Sequence, residues 1–104
     1  MTVTLSELIQ AVKEERLSKD DLESYHTQMS SLYAQMQLEM AVVEKEKALY
    51  FEKQMATYPD SSDISIKRQW LAGARGQREI ELKRYLLATK ELISSLKSRI
   101  YKLL

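Results

Sequence analysis

The stretch from Ile66 to Leu104, IKRQWLAGARGQREIELKRYLLATKELISSLKSRIYKLL, decides the fold class of this chain. In its second half, apolar residues recur at alternating steps of four and three, which is the spacing of a coiled-coil seam. The seam positions are Leu82, Leu86, Thr89, Ile93, Leu96, Ile100 and Leu103. We therefore predict a long helix over about residues 66–103 whose apolar seam packs against other helices.

In the first half of the same stretch, arginines occupy the positions where the seam should continue. Arg78, Arg75 and Arg68 fall on the backward extension of the seam, close to both glycines of the chain, Gly73 and Gly76. A glycine inside a helix costs about 1 kcal/mol relative to alanine, and its missing side chain lets another group come close. We expect that the helix bends here or that something approaches it.

Capping patterns predict where the two earlier helices begin. Thr4 and Glu7 have the spacing of a capping box, ahead of a short apolar helical face, so we place a first helix at about 5–16. Ser18 and Asp21 repeat the device and predict the start of the second helix.

The second helix can be long, because neither Pro nor Gly occurs between its start and Pro59. We place it at about 19–58, followed by a polar connection in which Asp63 or Ser65 caps the third helix. Its heptad-like seam comprises Leu22, Tyr25, Met29, Leu32, Met36, Met40 and Val43. A short connection makes the two long helices antiparallel neighbours.

These patterns describe a single all-α domain of 104 residues. We predict a long, coiled-coil-like antiparallel helical hairpin with a short N-terminal helix. Its two seams offer more apolar surface than one partner helix can cover, so we expect a homo-oligomer. The expected oligomer interface is Leu82, Leu86, Ile93, Leu96, Ile100 and Leu103.

The residue types that most catalytic and metal sites need are scarce. The chain has no Cys, and His26 is its single histidine, so we expect no metal site, no cofactor and no enzymatic activity. The N-terminal residues lack the pattern of a signal peptide, and no apolar run is long enough to cross a bilayer. We therefore expect a cytoplasmic protein without a membrane partner.

Charge is distributed unevenly along the chain. Residues 1–63 hold 12 acidic and 6 basic side chains, whereas residues 64–104 hold 3 acidic and 10 basic ones. Either the two halves neutralise each other within the hairpin, or the basic half faces an anionic partner.

The arginines accordingly have two interpretations. In a hairpin, Arg75 and Arg78 can pair with Glu44, Glu46 or Glu52, as charges on long helices usually do. Alternatively, they bind phosphate, for which the guanidinium fork is suited, with Trp70 and Tyr85 as stacking surfaces, although a tryptophan in such a stripe more often packs in a core. The candidate nucleic-acid-binding residues are Lys67, Arg68, Arg75, Arg78, Lys83 and Arg84.

The segments EKEKALYFEKQMATY and SIKRQW, followed by REIELKRYLLATKELISSLKSRI, resemble small bacteriophage recombination-accessory proteins of the UvsY type. The likeness covers about residues 30–104. The resemblance implies a homo-oligomer that binds single-stranded DNA and helps to load a recombinase onto strands coated by single-strand-binding protein, in the cytoplasm of a bacterial host.

A coiled-coil module that binds only proteins, as an adaptor, an inhibitor or an assembly chaperone, is the alternative. Salt dependence separates the two functions. Binding that neutralises several phosphates weakens by orders of magnitude between low and moderate salt, whereas an apolar interface is nearly indifferent to salt.

Overall fold

A computed structural model describes residues 4–13 and 17–103 of the chain. These residues form four helices and include no β-strand, which confirms the all-α prediction. The helices are α1 (Leu5–Val12), α2 (Lys19–Thr57), α3 (Asp63–Ala72) and α4 (Ala74–Lys102).

Both predicted capping boxes are present. At the start of α1, the Glu7 amide donates to Thr4 Oγ1 at 3.2 Å, and the Glu7 carboxylate accepts from the Thr4 amide at 3.4 Å. At the start of α2, Ser18 and Asp21 exchange the same two bonds at 3.1 and 3.3 Å. The predicted end of the first helix, residues 14–16, lies outside the described residues.

The third helix begins differently from the prediction. Its N-cap is Ser62, whose hydroxyl accepts from the Ser65 amide at 3.2 Å, rather than Asp63 or Ser65. Asp63 instead lies in the first turn of α3, where its negative charge favours the exposed amides of the helix start.

The prediction of a single helix over about 66–103 is wrong, because the chain leaves the helical conformation at Gly73. Its backbone is extended there, with φ −84° and ψ 165°, and α4 begins at Ala74. After this corner, α4 passes so close to the end of α3 that a Cβ atom on Gly76 would lie 1.9 Å from the Trp70 carbonyl oxygen. The two glycines therefore make a corner between α3 and α4. The sequence suggested either a bend or a close approach at these glycines, and both occur: the chain bends at Gly73, and the backbone of α3 lies against Gly76.

The chain divides into two compact units that share its two long helices. The first unit comprises Met1–Met36 and Leu86–Leu104, and the second comprises Gln37–Tyr85. Each unit thus contains three helical segments: one part of α2, one part of α4 and one short helix, which is α1 in the first unit and α3 in the second.

The first unit has an apolar core drawn from all three of its helices. Its buried members are Leu8, Val12, Leu22, Met29 and Leu96. Half-buried side chains pack around them, including Ile93 and Ile100 of the predicted α4 seam. The Arg99 guanidinium donates to the Val12 carbonyl at 2.6 Å, which places a positive charge at the C-terminal end of α1, where the helix dipole favours it.

The second unit also takes buried apolar residues from each of its helices. They are Met40 and Val43 from α2, Ile66 and Trp70 from α3, and Leu82 from α4. The sequence-predicted seam of α2 is therefore correctly placed, since Leu22, Met29, Met40 and Val43 are all buried.

Two residues of the expected oligomer interface are core residues of a single chain. Leu82 and Leu96 are both 0% exposed without any second copy, whereas Leu86, Ile93 and Ile100 are half-buried and Leu103 is exposed. Less of the apolar surface of the α4 seam is left for a second copy to bury than the sequence suggested, because each unit adds a short helix to the two long ones.

Candidate interaction surfaces of the second unit

A buried carboxylate joins all three helices of the second unit. Glu79 on α4 is 2% exposed and accepts from Lys47 Nζ on α2 at 3.1 and 3.2 Å. The same carboxylate accepts from Trp70 Nε1 on α3 at 3.4 Å, and the Trp70 ring contacts Tyr50 of α2 with 5.5 Å between centroids. A buried charge is tolerated when it is paired and hydrogen-bonded, so this network fixes how the three helices pack.

Arg75 forms a bidentate pair with Glu46 on α2. Its Nε donates to one carboxylate oxygen at 2.6 Å and its Nη2 to the other at 3.2 Å. The guanidinium fork matches the carboxylate in this geometry, which makes the pair directional as well as charged. Glu46 is one of the three partners that the sequence predicted.

Arg78 holds two carboxylates. Its Nε and Nη2 donate to Glu39 at 2.5 and 2.7 Å, and its Nη1 donates to Glu81 one turn further along α4. The hydrogen bond from Arg78 holds the pKa of Glu39 below its ordinary value, and the bond to Glu39 raises the pKa of Arg78. Glu39 was not among the predicted partners of this arginine.

These two pairs also show the direction of the helices within the unit. Glu46 follows Glu39 along α2, while Arg75 precedes Arg78 along α4. The two segments are therefore antiparallel, as the sequence predicted. In both pairs the guanidinium fork faces a glutamate carboxylate, so Arg75 and Arg78 act here as counter-ions of glutamates.

The other four candidate nucleic-acid-binding residues remain available. Lys67 and Arg68 on α3 and Lys83 and Arg84 on α4 are exposed, and none has an ion-pair partner among residues 4–13 and 17–103. Of the two expected stacking residues, Trp70 belongs to the core, as the commoner interpretation held.

Tyr85 differs from Trp70 because it is 41% exposed. It lines a shallow depression on α4 together with Gln77, Ile80, Glu81 and Arg84. An aromatic ring beside a free guanidinium can contact an anionic aromatic ligand.

The outward side of α2 in the second unit carries exposed apolar residues along five helical turns. The largest are Leu38, Val42 and Leu49, which are 71%, 53% and 56% exposed, and Met55 is 51% exposed. We name this side the outer face and define it as Leu38, Ala41, Val42, Lys45, Ala48, Leu49, Glu52, Met55 and Ala56. All nine residues are exposed, and seven of them are apolar.

The sequence contains a pattern that predicts the outer face, but the more regular seam of α2 drew attention away from it. Positions 38, 42, 45, 49, 52 and 56 step by four and three, so they form a second heptad-like row on the side of the helix opposite the buried one. Lys45 and Glu52 interrupt this row, so its apolar periodicity is incomplete and hard to recognise in the sequence. The buried carboxylate of Glu79 has no comparable signal, because an isolated Glu on a charged helix looks like a solvated residue.

Among the described residues, no cluster of three or more His, Asp or Glu side chains could hold a metal ion. The helices of the described ranges include none with the length and apolar character that crossing a membrane requires. Comparison with known protein families, with curated proteins and with solved structures finds no match to this chain.

Proposed function

We propose that this chain is a non-enzymatic, helical protein-binding module that docks through the outer face of α2. The observation that carries the proposal is the exposure of Leu38, Val42 and Leu49 on one side of a helix whose opposite side is buried. Single exposed leucines are ordinary on protein surfaces, but several large apolar residues grouped on one exposed helix face are typical of an interaction site.

The energetic argument follows from the sizes of these side chains. Complete burial of one Leu or Val side chain contributes about 1.5–3 kcal/mol. Three such residues, with the alanines between them, provide enough apolar area for a helix-in-groove or helix-on-helix interface. The small residues Ala41 and Ala48 allow a partner backbone to come close.

A photo-crosslinking amino acid placed on the outer face tests the proposal. Incorporated in place of Ala48, it should link the chain to a polypeptide in an extract of the source cells. The matched control places the same group at Ala74, which is also an exposed alanine of the second unit. Equal labelling from both positions, or no polypeptide linked at Ala48, contradicts the proposal.

A loss-of-binding variant completes the test. Leu38→Gln with Leu49→Gln should abolish the crosslink at Ala48 and leave helicity unchanged, because both leucines are mostly exposed. Leu87→Gln, at a similarly exposed leucine of the first unit, is the control and should leave the crosslink intact.

Binding of single-stranded DNA, as an accessory protein in recombination that acts with a recombinase or single-strand-binding protein, is the second candidate function. The four unpaired cations and the depression containing Arg84 and Tyr85 favour it. Four phosphate contacts on a single strand correspond to a slope of about −3 in log affinity against log salt, at about 0.7 per contact.

Fluorescence anisotropy with a labelled oligonucleotide at several salt concentrations tests this candidate. Lys83→Gln with Arg84→Gln should reduce the slope by about 1.4, which is two contacts. Arg75→Gln should alter stability but not the slope, since that guanidinium is held by Glu46. Absence of binding by the unaltered protein at low salt excludes the candidate.

A further inference from the structure

We propose that the partner of the outer face is a second copy of this chain, bound in antiparallel orientation about a two-fold axis near Ala48 and Leu49. This inference rests on the proposed function, since it names the occupant of the same face. Two features of the face lead to it: the order of its two charges and the order of its large and small residues.

The outer face consists of three rows with a spacing of seven residues. Leu38, Lys45 and Glu52 form the central row. One flanking row comprises Ala41, Ala48 and Met55, and the other comprises Val42, Leu49 and Ala56. Such rows face a partner helix when two helices pack side by side with coiled-coil geometry.

The charges of the central row favour antiparallel over parallel pairing of two copies. Lys45 and Glu52 have no ion-pair partner within residues 4–13 and 17–103. When two copies pair in antiparallel orientation about a point between residues 48 and 49, Lys45 of each copy lies opposite Glu52 of the other. Parallel pairing in register would instead place lysine against lysine and glutamate against glutamate, which is unfavourable.

The flanking rows are self-complementary under the same symmetry. A two-fold axis pairs each row with itself, so that Ala48 meets Ala48 of the second copy and Leu49 meets Leu49. At the ends, Ala41 lies opposite Met55, and on the other row Val42 lies opposite Ala56. Large residues thus face small ones away from the centre, which is the condition for close packing without voids.

A charge-exchange experiment tests the inference by sedimentation equilibrium. Lys45→Glu alone gives two glutamate–glutamate contacts in the dimer, because residue 45 of each copy lies opposite residue 52 of the other. Glu52→Lys alone gives two lysine–lysine contacts for the same reason. Each variant should dimerise about a hundredfold more weakly than the unaltered protein. An equimolar mixture of the two should form a heterodimer, because every glutamate then faces a lysine.

The control for charge alone is Lys97→Glu, an exposed lysine of α4 outside the face, which should leave dimerisation unchanged. Recovery in the mixture cannot come from a folding defect, since both variants would carry that defect into it. Failure of the mixture to dimerise, or dimers of either single variant as tight as the unaltered ones, overturns the antiparallel arrangement.

A cysteine placed on the axis gives an independent test. The chain has no native Cys, so Ala48→Cys under mild oxidation should form a disulfide-linked dimer at micromolar concentration. Ala74→Cys, at an exposed alanine outside the face, should still dimerise but should form no disulfide-linked dimer.

The outcomes also separate this inference from the proposed function. In one outcome the unaltered protein sediments as a monomer, while the crosslinker variant at position 48 still labels a different polypeptide. This outcome overturns the homodimer and leaves the protein-binding function standing. A monomer whose crosslinker labels nothing overturns both.

Discussion

Replacing Gly76 with alanine tests the corner between α3 and α4, because alanine is the better helix former but has no room there. An ideal Cβ at this position lies 1.9 Å from the Trp70 carbonyl oxygen, 2.6 Å from its carbonyl carbon and 2.8 Å from Leu71 Cα. All three are backbone atoms, so no side-chain rotation can relieve the contact. The end of α3 must move away, which disturbs the hydrogen bond between Trp70 and Glu79.

The expected magnitude follows from two opposing effects. Inserting a methyl group into a close-packed site costs about 1–3 kcal/mol, and a contact with backbone belongs at or above the upper end of that range. The helix propensity of alanine over glycine returns about 1 kcal/mol. We expect a net loss of about 2 kcal/mol, which corresponds to a fall of about 10 °C in melting temperature.

Gly73→Ala is the matched control at the same corner. Its ideal Cβ lies 3.5 Å from the nearest atom, which is ordinary contact, and its extended backbone suits any residue. This substitution should be neutral or stabilise the protein by about 0.4–1 kcal/mol, because it restricts the unfolded chain. Urea unfolding followed by the fluorescence of Trp70, the single tryptophan of the chain, measures both variants. The close-approach argument fails if Gly76→Ala is as stable as the unaltered protein, or if Gly73→Ala loses as much stability.

Three further predictions concern two ion pairs and one buried hydroxyl group without a hydrogen-bond partner in the described ranges. The stability contributed by Glu39 with Arg78 is fully present above the ordinary carboxylate pKa and is lost as pH falls through the lowered pKa of Glu39, so Glu39→Gln should reduce the acid dependence of unfolding in urea. Glu79→Gln should cost about 2 kcal/mol in urea unfolding by leaving Lys47 without its counter-ion, and adding Lys47→Met should recover most of this loss. Thr89→Val should raise stability by about 1 kcal/mol in calorimetry, since the buried Thr89 hydroxyl has no hydrogen-bond partner within the described ranges, and a loss of stability would contradict this.

Several features of this fold could be predicted from the sequence because their causes are local. The starts of α1 and α2 depend on capping boxes whose two members lie three residues apart, and both are formed as predicted. The buried side of α2 follows from heptad spacing, which positions residues on one side of any helix. The antiparallel direction of the α2 and α4 segments in the second unit was also predicted, from a short connection after α2, and it holds although α3 lies between the two helices in sequence.

The corner and the ion pairs depend on contacts between residues distant in sequence. Two glycines within four residues indicated a bend or a close approach, but only the packed structure shows that Gly73 leaves the helix and Gly76 admits a backbone. Arg78 pairs with Glu39, 39 positions away in the sequence, and no local pattern indicates that partner.

The tertiary structure alone also decided which apolar residues remain exposed. Heptad spacing places Leu82 and Leu49 equally well on an apolar row, and nothing local distinguishes them. Leu82 is buried because α2 and α3 pack around α4 within the second unit, whereas Leu49 lies on the side of α2 that no helix of that unit covers. Periodicity determines which residues share a face, and only the positions of neighbouring helices determine whether that face meets protein or water.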